Sequence, residues 1–427
     1  MENLMGRKKI LILGATSETA KLVITAEQMG IETYVVDPFS DAIAKKYASV
    51  SIDHDCFDVD GICAIIEENN IDGVLPGCAD ILVPVYEEVC RRLKKHCYVN
   101  MNIVNTFNNK KGLKEALIRH GMPVIKDFSY NEVKDNDFDM FPLFIKPTDN
   151  NSSKGMSIVN NHEQLPEAYL KGLEYSKSKT VLIEEYKETD DFYVGYFIQD
   201  GNIGVTFTGD RFVIKQSGVG SITSGIIYPS RYEKLYFSTV HNKMIKLFKE
   251  LDFNNGICAI QGFVEKDQIM FYDPALRITG GQEYILIDRF TGLDELENLI
   301  HFAIYGKMRS DDEYKKCDAS FGGKYGCNLT FSVKPCTIGK IKGIDYARDK
   351  KQVINITQEH DIGDVIDKKG TAQQNIARMH IMADSANELC DIITDLQQHI
   401  QVTDKEGRSV ILTGLNPNKW LEAVRNE

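Results

Sequence analysis

Hydrophobic and polar positions follow two different rhythms along this chain. From residue 9 to about residue 105, short apolar runs rich in β-branched residues alternate with amphipathic stretches. KKILIL reads as a buried strand that stops at Gly14, and Leu22, Val23, Ala26 and Met29 share one face of the helix that follows. Further strands are predicted at TYVVD, 49–52, GVLPG and CYV, with helices over 59–68 and 81–93. Strands alternating with helices at this spacing predict a doubly wound parallel sheet. Gly14, Asp37 and Gly77 fall at carboxyl ends of strands, where open α/β sheets receive their ligands.

Beyond Asn108 the rhythm changes. FPLFIKP and VLIEEY are strand-like, and DFYVGYFIQDGNIGVTFTGDRFV alternates on both sides of Asp200-Gly201, the signature of an antiparallel hairpin. A helix is predicted over 232–251, then a second strand pair, GICAIQGFVEKDQIMFYDPALR, turning at Lys266-Asp267, and a helix over 294–305. From Asp318 short strands dominate (LTFSV, GKIKGI, VINITQ), with one helix over 385–400. The expected fold combines α/β and α+β: a Rossmann-like parallel-sheet domain over 1–105, an antiparallel unit over 106–317, and a small β-rich α+β lobe over 318–427.

Composition narrows the function. The 427 residues are 43% hydrophobic and 26% charged, which fits a globular chain of several domains. Fifty basic against 62 acidic residues leave a net charge of −12, which repels a phosphodiester backbone, so nucleic acid is not an expected partner. The ten cysteines include no CxxC pair, which argues against structural zinc. The apolar run 10–13 is too short for a signal peptide, and no stretch approaches the ~18–20 apolar residues of a membrane span. A cytoplasmic protein with free thiols and no membrane partner is expected.

Four segments carry candidate chemistry. GATSET (14–19) opens a helix after the first strand and offers backbone amides to an anion. It lacks two glycines of a dinucleotide fingerprint, so an NAD-linked oxidoreductase using Asp37 for ribose is the minority reading. Lys110, Lys146 and the loop 149–156, with Ser152, Ser153, Lys154 and Gly155, suit a polyphosphate, because ammonium groups act as point charges and loop amides direct hydrogen bonds. Lys146 ends an apolar strand, where a buried ammonium needs an anionic partner. Glu184 and Glu185 close another strand, Asp191 follows six residues after Glu185, and the three offer acceptors for a base and a ribose. Gln261 and Asp273 sit on paired strands as oxygen ligands for Mg2+ or Mn2+, followed by Arg277 and Gly280-Gly281, which could neutralise a transferring phosphoryl group.

Taken in order, these segments resemble the ATP-grasp superfamily, and within it the branch of carbamoyl-phosphate synthetase large-chain halves, phosphoribosyl-carboxyaminoimidazole synthetases and L-amino-acid ligases. The resemblance extends over nearly the whole chain. It implies a two-lobed grasp with a small nucleotide-binding lobe at about 115–186. ATP would be held by Lys110, Lys146, Lys154 and the phosphate loop, with Glu184, Glu185, Asp191 and the backbone of Tyr186 at the base and ribose. Where relatives write E-x-N-P-R-x-x-G-G, this chain has Asp273, Pro274, Ala275, Leu276, Arg277, Ile278, Thr279, Gly280 and Gly281, so Ala275 stands in the place of an asparagine ligand. Gln261 resembles the metal-ligating glutamine of carbamoyl-phosphate synthetases, although only one grasp unit is present. The implied activity is a carboxylate ligase: ATP makes an acylphosphate of a small-molecule carboxylate, and an amine displaces phosphate, forming a C–N bond. Lys154, Arg277, Gly280 and Gly281 would be catalytic. Asp210, Arg211 and the segment 221–228 are expected at the acceptor pocket, with Arg211 as carboxylate clamp. A homodimer is among the expected assemblies. The alternative class is a nucleotide-binding regulatory or scaffold protein that lost turnover at Ala275.

Overall fold

A computed structural model describes residues 6–135, 137–148, 155–216 and 221–426. Strands β1 (Lys9–Leu13), β2 (Glu32–Asp37), β3 (Val50–Asp53) and β4 (Gly73–Pro76) form a parallel sheet in the order β3-β2-β1-β4. β1 and β4 are apolar at nearly every position because helices cover both faces. One covering helix, Glu295–Tyr305, arrives from far along the chain, and a Cβ at Gly73 would lie 2.5 Å from the Ala303 carbonyl oxygen. Only glycine permits that approach. CYV forms no fifth strand. Tyr98 is a buried peg instead: its N–H donates to the Tyr86 hydroxyl (3.1 Å) and its hydroxyl to the Leu276 carbonyl (3.0 Å).

Strands β5 (Asp127–Phe128), β6 (Leu143–Pro147), β7 (Ser157–Val159) and β8 (Val181–Glu185) make a second, antiparallel sheet in the order β5-β8-β6-β7. Its own core of Leu143, Ile145, Val159 and Ile183 packs on the helix Leu165–Tyr175 through Leu165.

The largest sheet contains β9 (Asp190–Gln199), β10 (Asn202–Lys215), β11 (Ser221–Tyr228), β12 (Gly256–Glu265), β13 (Gln268–Ala275) and β14 (Tyr325–Val333). Beyond it in sequence come β15 (Cys336–Lys342), β16 (Val353–Gln358), β17 (Val365–Ile366), β18 (Asn375–Ala383), β19 (Gln401–Asp404) and β20 (Ile411–Leu412). The order is β13-β12-β9-β10-β11-β14-β18-β16 with β20 beside β14, while β17-β15-β19 form a separate sheet. The β9–β10 hairpin turns at Asp200 (φ 49°) and Gly201 (φ 76°), the left-handed pair that matches strand twist in a two-residue turn. Ile227 pairs with Cys327 and Gly225 with Leu329, so strands from either side of residue 318 share one sheet. The helix expected over 232–251 is broken at Val240 into Glu233–Thr239 and His241–Glu250, where the Ser238 and Thr239 hydroxyls bond back to the preceding turn.

Along β14 and β18 the side chains alternate. Leu329, Phe331, Met379 and Ile381 pack with Leu389, Ile393 and Leu396 of the helix Ala386–His399. Asn328, Thr330, Arg378 and His380 take the alternate positions and are buried too, in register as Asn328↔His380 and Thr330↔Arg378. A strand with polar residues buried on one face needs partners there, and those partners form the site.

Candidate functional site

Lys146, near the end of β6, is 6% exposed, and its Nζ lies 2.6 Å from Glu184 Oε2. Lys114 Nζ approaches Glu184 Oε1 at 3.3 Å and Asp127 at 3.2 Å. Glu184 thus serves as the counter-ion of two buried lysines, a role its position in the sequence did not reveal. Glu185 pairs with Lys187 (2.8 Å), which also holds Glu265 (2.8 Å). The Tyr186 N–H already donates to the Pro142 carbonyl (3.1 Å). Lys110 opens the helix Lys110–Arg119, whose start is fixed by the Asn109 side chain accepting from the Lys111 and Gly112 N–H groups. Gly155 adopts φ 75°. Ser152, Ser153 and Lys154 lie outside the described residues.

Gln261 and Asp273 are direct cross-strand partners on β12 and β13. The Tyr272 hydroxyl lies 3.0 Å from both Gln261 Oε1 and Asp191 Oδ1, its one proton shared between the two acceptors. Burial raises the pKa of Asp273, as does the charge of Asp80, while Lys110, Lys146 and Arg211 oppose the rise. The phosphate-type lysines and the carboxylate of the strand pair therefore share one electrostatic neighbourhood. One carboxylate and one amide oxygen suit a hard cation that keeps waters and bridges to phosphates, as Mg2+ does. Among the described residues no three His, Cys, Asp or Glu side chains gather to cage a metal, and Ala275 contributes no donor.

Beside this pair opens a cavity of about 700 Å³. Arg211, Gln261, Asp273, Arg277, Gly280 and Gly281 line it, as do Ser221, Ile222, Thr223 and Ile226 of β11. Arg277 crosses to the N-terminal sheet: Nη2 lies 2.5 Å from Asp80 Oδ2, and Nη1 donates to the Ile278 carbonyl (2.7 Å) and to Cys78 Sγ (3.2 Å). The turn that presents Asp80 depends on Gly77, where a Cβ would meet Thr19 Oγ1 at 2.7 Å and the Leu13 carbonyl at 2.8 Å. The same Thr19 oxygen accepts from the Cys78 N–H (3.0 Å). The Gly281 carbonyl accepts from Asn328 Nδ2 (2.6 Å) and from His380 Nε2 (3.0 Å). Burial drives the His380 pKa down to about 3, so the ring is neutral; Nδ1 faces the Asn355 amide at 3.2 Å, which fixes the tautomer that donates from Nε2. Glu18, Asp80, Asn328 and Arg378 line the cavity and were not anticipated from the sequence.

Four expected residues are engaged within the protein in other ways. Asp210 does not reach the cavity: neighbours on a strand point to opposite faces, so Arg211 lines the site while Asp210 turns into the core. There Asp210 accepts from Ser230 Oγ (2.6 Å), Trp420 Nε1 (2.9 Å) and the Arg231 N–H (3.3 Å), and burial pushes its pKa up to about 6. Asp191 is not an open ribose acceptor, because Arg211 Nη1 and Tyr272 occupy its oxygens. That pairing also occupies the expected carboxylate clamp. Asp37 likewise binds its own turn, accepting from the Ala15 (2.9 Å) and Phe39 (3.0 Å) N–H groups.

Among solved structures this fold resembles the L-amino acid ligase of Bacillus licheniformis (TM-score 0.76, 15% identity, covering 93% of this chain and 99% of that one). It also resembles phosphoribosylglycinamide synthetase from Anaerococcus prevotii (TM-score 0.70, 16% identity, 93% and 100%). A third is the biotin carboxylase domain of Hydrogenobacter thermophilus 2-oxoglutarate carboxylase, a dimer in complex with MgADP and bicarbonate (TM-score 0.73, 14% identity, 98% and 94%). The chain therefore has the ATP-grasp fold, as its lysine, acid and metal segments led one to expect. Within it, residues 116–272 match the family model "D-ala D-ala ligase C-terminus". By sequence, formate-dependent phosphoribosylglycinamide formyltransferase of Prochlorococcus marinus subsp. pastoris is 29% identical over 191 residues, which is 43% of this chain and 48% of that protein. The enzyme of the same name from Pyrococcus furiosus is 24% identical over 213 residues, 47% and 49% of the two. The chain thus spans about half the length of these curated relatives. Among the described residues no helix is long and apolar enough to cross a membrane.

Proposed function

We propose that this protein is an ATP-dependent carboxylate ligase that makes an acylphosphate and passes the acyl group to an amine. The observation that carries the reading is the meeting, at one cavity, of the Gln261–Asp273 oxygen pair, Arg277 and the Gly280-Gly281 segment with an open space beside them. ATP lies between the small sheet and β9–β13, with Lys110 and Lys146 against its phosphates and Glu185 and Tyr186 flanking base and ribose. Phosphate oxygens compete with Glu184 for Lys146. Gln261 and Asp273 would hold Mg2+, which would supply charge neutralisation at the phosphates. A carboxylate oxygen of the acid attacks the γ-phosphorus, the bond to the bridging oxygen breaks, and ADP leaves. The amine nitrogen then attacks the acyl carbon, loses a proton and expels phosphate.

In-line phosphoryl transfer needs positioning and charge neutralisation rather than a protein nucleophile. Arg277, tethered by Asp80 and the Ile278 carbonyl, keeps its cation at the cavity wall, and the two donors on the Gly281 carbonyl fix the orientation of the adjoining amides. The formate dependence in the relatives' name and the amino acid in the name of the Bacillus licheniformis ligase define the first acids to try. With ATP, Mg2+, hydroxylamine and a panel of formate, amino acids and small dicarboxylates, ADP and a hydroxamate should appear together for at least one acid. Tight ATP binding with no hydroxamate from any acid would favour the regulatory alternative that Ala275 motivates.

A further inference from the structure

Two cysteines away from the cavity meet at the end of one helix. Cys90 lies in the last turn of the helix Val83–Leu93, which stops where Lys94 turns left-handed (φ 52°) and the Lys95 N–H closes onto the Cys90 carbonyl (2.9 Å). That tight exit returns the chain to the helix face carrying Tyr86 and Cys90, and Cys97 settles beside both. Three donors converge on the Cys97 sulfur: the Cys90 thiol, the Val99 N–H and the Tyr86 hydroxyl. The Tyr86 oxygen in turn accepts from the Tyr98 N–H (3.1 Å), and the two rings pack with centroids 5.1 Å apart, which holds the arrangement in place.

A sulfur that accepts several hydrogen bonds is stabilised as the thiolate, the nucleophilic form. All ten cysteines are among the described residues, and all are free thiols. Burial raises the thiol pKa of nine of them, whereas Cys97 is held below the ordinary value, chiefly by the Cys90 thiol. Cys97 is partly exposed, while Cys90 behind it is only 3% exposed. An accessible nucleophilic sulfur thus has a second thiol already in contact with it, the pairing by which a sulfenic acid is resolved to a disulfide.

From this we infer that Cys97 and Cys90 form a redox modification site, at which a peroxide converts the dithiol reversibly to a disulfide. The Cys97 thiolate attacks one peroxide oxygen, the O–O bond breaks, and the departing hydroxide takes a proton to leave as water. Cys97 is then a sulfenic acid. The Cys90 sulfur attacks the Cys97 sulfur, the S–S bond forms, and the hydroxyl group leaves with the Cys90 proton as a second water. The two sulfurs have lost two electrons and the peroxide has gained them. An external dithiol restores both thiols by exchange. The bond would form beside Tyr98, whose hydroxyl donates to the Leu276 carbonyl (3.0 Å), at the point where the N-terminal sheet domain is pegged to the end of β13.

Peptide mapping by mass spectrometry of the reduced protein, before and after an equimolar dose of hydrogen peroxide, tests the site. A cross-linked peptide joining Cys90 to Cys97 should appear, and dithiothreitol should remove it. Under limiting iodoacetamide, Cys97 should be alkylated roughly tenfold or more faster than any other cysteine. In Cys90→Ala the reaction should stop at a Cys97 sulfenic acid that dimedone traps, and in Cys97→Ser the Cys90 thiol should survive. Oxidation that falls first on another cysteine overturns the proposal. So does a wild-type protein that forms no Cys90–Cys97 cross-link, or one whose Cys97 is alkylated no faster than the rest. The wild-type protein alone decides these outcomes, so a variant that fails to fold does not shelter the proposal. None of them depends on turnover, and the ligase reading stands or falls separately.

Discussion

The two ends of the cleft treat buried charge in opposite ways. On the small sheet, Lys146 and Lys114 close onto Glu184, so the cations are stored on a protein acid. In the cavity formed by β11, β14 and β18, Arg378 and Arg277 keep buried N–H groups without partners among the described residues, beside the Asn328 oxygen in the same state. A ligand on the small sheet must compete with an internal carboxylate, whereas a ligand in the cavity completes bonds that the protein leaves open. Selectivity is then expected to reside mostly in the cavity, since missing one of its bonds exposes an unsatisfied buried group.

The largest break in this comparison should come from Lys146→Met. Removing one partner of a buried pair leaves Glu184 less well compensated, so stability should fall by about 3 kcal/mol in denaturant unfolding. ATP-dependent turnover should fall by roughly a hundredfold or more. If Arg378→Met harms ATP affinity as much as Lys146→Met does, the two ends are not separate devices. Glu184→Gln tests storage itself. The free protein should be less stable, but ATP should raise its melting point more than in the wild type, by about 1–2 kcal/mol of added ligand stabilisation. An unchanged ATP-induced shift means that Glu184 does not compete with phosphate.

Smaller effects should follow from Asn328→Leu and His380→Phe, each of which removes one donor from the Gly281 carbonyl. We expect kcat to fall about tenfold with the KM for ATP nearly constant. With its pKa driven down to about 3, His380 is neutral throughout the physiological range, so it should contribute no inflection to the kcat profile near neutral pH. An inflection in that range lost in His380→Phe contradicts its burial as a neutral donor.

The smallest effect concerns Asp210. Its folded pKa, about 6, lies above the ordinary carboxylate value, so the folded state holds the proton more tightly than the unfolded chain. That contribution to stability is complete below the unfolded pKa and is lost as pH rises through about 6. Wild-type stability relative to Asp210→Asn should therefore increase from about pH 7 to about pH 5, by on the order of 1–2 kcal/mol, in urea unfolding at the two pH values. A constant difference between the proteins means that Asp210 titrates normally.

Local chemistry made much of the architecture legible. Asp200-Gly201 and Lys266-Asp267 marked their hairpins because tight turns demand left-handed residues, and Asp200, Gly201 and Lys266 do take positive φ. Lys146 stood out because an ammonium at the end of an apolar strand needs an anion, and Gln261 with Asp273 because a hairpin register makes them neighbours. Glu18, Asn328 and Arg378 were missed for the opposite reason. Each lies on a segment far from the others in sequence, and only the β14–β18 pairing and the first strand-to-helix turn bring them to one cavity. A signal was available: Asn328, Thr330 and Ser332 alternate with Leu329, Phe331 and Val333, and Arg378 and His380 with Ala377, Met379 and Ile381. Alternation alone reads as one solvated face, and only burial turns it into a polar interior. Asp210 was misassigned because adjacency to Arg211 in sequence means opposite faces on a strand.

An acylphosphate formed in this cleft is the central claim, and positional isotope exchange tests it most directly. ATP carrying oxygen-18 in the β,γ-bridge is incubated with the protein, Mg2+ and each candidate acid in the absence of amine. Label should scramble into the non-bridging β-oxygens only when the productive acid is present, and scrambling should be lost in Lys146→Met. Hydroxamate formation from that acid without any scrambling under conditions where ADP stays bound, or scrambling that is the same with and without acid, would contradict it.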